Sequence, residues 1–88
     1  MLFEQKTDQH GVITLAAQYK DADVFGTLRW DVNSDRYSCY VKAKRNGKKA
    51  KIAEVLDQFH NETEVKKWLS AMLEGGVDLD TLTWVKDE

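Results

Sequence analysis

The residues with the most chemical reach in this chain are bases interleaved with aromatics. Phe25, Arg29, Tyr40, Lys42 and Lys44 fall on alternate positions of two stretches, Val24 to Val32 and Arg36 to Arg45. Arg45, Lys48 and Lys49 follow around an Asn46-Gly47 pair. Guanidinium and ammonium groups bind carboxylates and phosphates, and an aromatic ring among them offers a face for stacking. The pattern suits a surface for nucleic acid or for an acidic protein patch. It equally suits a solvated sheet face, where lysines block edge-to-edge pairing. Other reactive residue types are poorly placed. His10 and His60 lie far apart, without companions at metal-ligand spacing. Cys39 sits among apolar positions, where a thiol is a small hydrophobe rather than a nucleophile. Asp78 and Asp80 are neighbours, but two carboxylates act as acid and base only in a pocket that separates their pKa values. No glycine-rich loop opens a helix to hold phosphate. The expectation is a non-enzyme with no catalytic residue, metal or cofactor.

Charge is unevenly distributed. Residues 29–51 hold eight bases against two acids, and residues 52–88 hold three bases against nine acids, within a total of −2. Such polarity along a chain points to charge-directed binding. The composition, 42% hydrophobic and 32% charged, is that of a folded domain, and 88 residues make a single α+β domain, 1–88, with one thin core. One cysteine excludes an internal disulfide framework. No apolar run approaches the ~20 residues that span a bilayer, and the first residues lack the charged-then-apolar order of a secretory signal. A cytoplasmic protein that binds no membrane is expected.

The element that must position these side chains is a helix over 62–74. Val65, Trp68, Leu69, Met72 and Leu73 form one apolar stripe at helical spacing. Asn61 is placed to cap it, with Glu64 at capping-box distance, and Glu62 and Glu64 put negative charge at the positive end of its dipole. Gly75-Gly76 ends it. Strands are read over Val12 to Lys20, Val24 to Val32 and Arg36 to Arg45 from their alternation. Val24, Leu28, Trp30 and Val32 share the apolar face with Gly26, which lets a bulky neighbour approach. Asn46-Gly47 is a two-residue hairpin turn and demands a partner strand over Lys48 to Phe59. Ile52, Val55, Leu56 and Phe59 also fit helical spacing, so the segment is ambiguous, and the turn favours the strand. Pairing outward from that turn sets Val41 by Ile52, Tyr37 by Leu56 and, awkwardly, Glu54 by Cys39 on the apolar face. A bulge near Glu54 reconciles the pattern. Thr81 to Val85 reads as a short edge strand or an extended tail.

The run from Tyr37 to Leu73, YSCYVKAKRNGKKAK followed by DQFHNETEVKKWLSAML, resembles the arm-binding N-terminal domains of phage-type tyrosine integrases, which lay a three-stranded sheet in DNA. In size and layout the chain also resembles small phage-encoded anti-CRISPR proteins. The latter resemblance implies inhibition by binding, with Glu62, Glu64, Asp78 and Asp80 as contacts beside Arg29, Lys42 and Lys44 on the sheet.

The expected architecture is an antiparallel sheet of about four strands with helix 62–74 across one face. The expected function is a phage or mobile-element accessory protein acting by protein–protein binding, as monomer or homodimer. The alternative is a DNA- or RNA-binding module using the basic sheet face.

Overall fold

Val65, Leu69 and Leu73 lie one turn apart on a helix and are shielded from solvent almost completely. Burying three such side chains contributes roughly 5–9 kcal/mol gross. The computed structural model describes residues 1–87. In chain order the elements are β1 (Glu4–Thr7), β2 (Ile13–Tyr19), β3 (Ala22–Asp31), β4 (Arg36–Arg45), β5 (Lys48–Phe59), α1 (Glu62–Glu74), a 3-10 turn (Leu79–Thr81) and β6 (Val85–Lys86). All strands are antiparallel and neighbours in sequence are neighbours in space, so the sheet is an uncrossed meander.

The sheet therefore has six strands rather than about four. β1 escapes the sequence pattern because its four residues, Glu-Gln-Lys-Thr, are all exposed; pairing with β2 alone makes it a strand. β6 is two residues long and set by its pairing with Lys48 and Lys49, so of the stretch Thr81 to Val85 only Val85 is strand, while Thr81 closes a 3-10 turn. The ambiguous segment Lys48–Phe59 is a strand, and α1 spans 62–74 as its stripe and caps require.

Leu15, Val24, Leu28, Cys39 and Val41 form the sheet's inner row beneath α1. Gly26 lies in the middle of that row. A Cβ there would stand 3.0 Å from Leu69 Cδ2, so the missing side chain is the space that seats the helix. Trp68 is half-buried and leans on Phe59 with ring centroids 5.4 Å apart. Trp30 and Val32 do not continue the inner row into the core. They lie near the end of β3, 43% and 79% exposed, and Trp30 instead packs edge-on against Tyr37 at 4.7 Å.

Asn61 caps α1 by accepting from the Glu64 amide at 3.0 Å. The reciprocal bond is displaced by one residue, because the Glu64 carboxylate accepts from the His60 amide at 2.9 Å. At the other end Gly75 stays right-handed and Gly76 makes the reversal, with φ of 98° and its amide donating to the Leu73 carbonyl. The Val77 amide then donates to the Tyr19 hydroxyl at 2.8 Å, tying the chain back to β2.

Replacing Gly26 by valine should drive the helix off its seat. Urea unfolding is expected to show a loss of about 1–3 kcal/mol, the usual cost of overpacking a filled core.

Candidate binding face of the sheet

With α1 on one face, the other face of the sheet carries the alternate residues of each strand. Cross-strand register places Phe25 by Lys42, Thr27 by Tyr40 and Arg29 by Ser38, so the base-and-aromatic set of β3 and β4 shares this outer face. The β4–β5 hairpin turns through Asn46 and Gly47, both at positive φ as a type I′ turn requires. Beyond it the partners are Ala43 with Ala50 and Lys42 with Lys51.

Regular alternation then fails twice. Val41 pairs with Ala53 rather than Ile52, and Tyr37 pairs with Phe59 rather than Leu56. The first slip moves Glu54 off the inner row to a place opposite Tyr40. A buried carboxylate without a partner is costly, so this one-residue insertion relieves the conflict in the pattern. The second slip centres on Asp57, whose φ is +53°. Ser38 Oγ accepts from the Asp57 amide at 2.9 Å, and the hydroxyls of Ser34 and Ser38 both donate to Asp57 Oδ1 at 3.3 Å. Aspartate tolerates left-handed backbone better than most residues, and these bonds hold it there. Phe59 consequently fills the core position opposite Tyr37, while Leu56, turned outward by the first slip because it follows the inward Val55, is 61% exposed.

A groove of about 500 Å³ runs over this region, walled by Thr27, Arg29, Tyr40, Lys42, Glu54 and Leu56 among others. Tyr40 is 40% exposed within it. The cations of this hairpin form three cross-strand pairs of like charge: Arg45 with Lys48, Lys44 with Lys49 and, beyond Ala43 with Ala50, Lys42 with Lys51. Directly opposed like charges destabilise a sheet, and acids from elsewhere in the chain offset several of them. Arg45 reaches Asp21 at 3.3 Å and Asp80 at 3.4 Å, while its guanidinium stacks on Trp84 at 4.5 Å. Asp87 bridges Lys44 at 3.2 Å and Lys49 at 3.9 Å, and Glu54 holds Lys51 at 3.2 Å. Among the described residues, Arg29 and Lys42 form no ion pair.

The structure thus divides the nine residues expected at a partner surface. Arg29, Tyr40 and Lys42 line the groove, with Phe25 and Lys44 beside it on the same face; the Lys44 ammonium sits 5.6 Å from the Phe25 ring centroid. Glu62 and Glu64 lie at the start of the helix in the opposite layer, Glu62 accepting from Gln5 Nε2 at 3.3 Å. Asp78 caps the 3-10 turn through the Asp80 amide, and Asp80 faces Arg45. Glu62 and Glu64 therefore lie apart from the outer-face bases, while Asp80 meets Arg45. Leu56, Glu54 and Asp57 belong to the groove and were not expected there; the misfit of Glu54 against Cys39 was the signal. Cys39 is buried, and burial pushes its thiol up to about 12, which leaves it protonated and unreactive. Among the described residues no three His, Cys, Asp or Glu side chains gather as a metal site, and no helix is long and apolar enough to cross a membrane.

Protein-family models, curated proteins and solved structures offer no match to this chain.

Glu64 ties the helix entry to pH. The His60 amide, and next the His60 ring at 3.1 Å, hold its carboxyl below the ordinary value of 4.5. A carboxyl depressed in the folded state contributes stability that is complete above its unfolded pKa and is lost as pH falls through the folded one. Urea melts over an acid pH series should show this loss in the parent, and a shallower one in Glu64→Gln.

Proposed function

We propose that the protein is a non-enzymatic binding protein that grips another protein through the outer face of its sheet. The observation that carries this reading is the pair of register slips in β5, at Ile52 and at Asp57. A single exposed leucine is ordinary. Here, however, the slip at Ile52 turns Leu56 to the face that carries Tyr40, and next to it a left-handed aspartate, costing about 1–2 kcal/mol in backbone energy, is clamped by two serines so that Phe59 fills the core opposite Tyr37. An aliphatic and an aromatic side chain lining one groove, bordered by charge, form the kind of centre on which protein interfaces concentrate their energy.

The opposed lysine pairs favour a second reading, nucleic-acid binding. Against it, Asp31, Glu54 and Asp57 line the same groove, and an unbroken chain of phosphates would have to pass them. The resemblance in size and layout to small phage-encoded anti-CRISPR proteins makes a subunit of a nucleic-acid-processing complex the first partner to try, with inhibition by occlusion as the mode of action.

A photo-crosslinking amino acid placed at Tyr40 should join a discrete polypeptide in host cells, whereas the same group at Lys67, exposed on α1, should not. The Tyr40 product should vanish when Leu56→Asp is added. Equal products from both positions, no product from Tyr40, or transfer to nucleic acid would each overturn the proposal.

A further inference from the structure

We infer that the segment held on this face is acidic and extended, with an apolar residue flanked at two positions on either side by carboxylates. The inference rests on the docking reading above and specifies its partner.

The charge pattern supplies the first argument. The chain provides its own carboxylates to Arg45, to both Lys44 and Lys49, and to Lys51. Lys42, directly opposite Lys51, receives none among the described residues, and neither does Arg29. Both line the groove that contains Leu56 and Tyr40. A lysine kept opposite a lysine weakens the hairpin in isolation; a carboxylate from outside turns that cost into an attraction.

Spacing supplies the second. Arg29 is in register with Ser38, and Ser38 and Lys42 are four residues apart on β4, about 13 Å along a strand. Tyr40 stands between them on the same side. An extended polypeptide points residues i, i+2 and i+4 the same way over the same distance. Carboxylates at i and i+4 then meet Arg29 and Lys42 while an apolar side chain at i+2 meets Tyr40 and Leu56.

Charge also selects against other occupants. A second copy stacked face to face about a twofold axis would bring opposed lysine pairs against their own duplicates. A phosphate polymer carries charge at every unit and cannot skip Glu54, whereas a peptide places its acids only where they are needed.

The test is a selection of displayed random dodecapeptides on the whole protein at low salt. Enriched peptides should carry Asp or Glu at i and i+4 around an apolar residue at i+2. A representative should bind Lys42→Glu about tenfold more weakly, as expected for loss of a charge-assisted contact. Lys42→Glu replaces an opposed like-charge pair with an opposite-charge pair, so circular dichroism should show the parent fold. Peptides without the acidic pattern that bind Lys42→Glu as well as the parent, yet are lost in Leu56→Asp, would overturn this inference and leave the docking proposal standing. Identical enrichment, or none, on the parent and Leu56→Asp would overturn both. Binding of a single-stranded oligonucleotide that Lys42→Glu abolishes, with no peptide enriched, would replace the acidic segment by nucleic acid.

Discussion

The seat of Leu69 over Gly26 decides which side of the sheet becomes the core. Because that glycine offers no Cβ, the helix approaches β3 closely enough for Val65, Leu69 and Leu73 to be fully enclosed. Among the described residues α1 is the one α-helix and it covers one face, so the opposite face meets solvent. Every strand must then sort its residues between a closed side and an open one. A register shift by a single residue exchanges the two sets. The fold's chemistry at the surface follows from how each strand meets that demand.

β2, β3 and β4 meet it with simple alternation. β5 does not, since its sequence cannot alternate without burying Glu54. Two interruptions solve the problem in sequence: one turns Glu54 and Leu56 outward, and the other, at Asp57, brings Phe59 against Tyr37. Phe59 then supports Trp68 on α1, so the second interruption completes the core at the helix entry after the first has exposed Leu56. The Ser38 hydroxyl serves both ends of the bond pair that holds Asp57, accepting from its amide and donating to its carboxylate. The core and the groove are thus two consequences of one irregular strand.

Much of this was legible in the residues and some was not. The helix 62–74 was legible because its stripe, its Asn61 cap and the glycine pair agree with one another. The face shared by Phe25, Arg29, Tyr40, Lys42 and Lys44 followed from period two. β1 was not legible, because four exposed polar residues become a strand only when β2 lies beside them. The misfit of Glu54 announced a bulge; the second, at Asp57, depends on hydroxyls contributed by Ser34 and Ser38 from another part of the chain. Pairing of Lys44 with Asp87, and of Arg45 with Asp21 and Asp80, joins residues far apart in sequence, so charge counted along the chain could not separate engaged bases from Arg29 and Lys42.

The direction in which Leu56 points is the claim that everything about the outer face depends on. Methyl NOE spectroscopy of the labelled protein reads it directly. The account predicts cross-peaks from the Leu56 methyls to the ring protons of Tyr40 and none to Trp68. Cross-peaks from Leu56 to Tyr37 and Trp68 would contradict it, because they would place the leucine in the inner row that simple alternation gives.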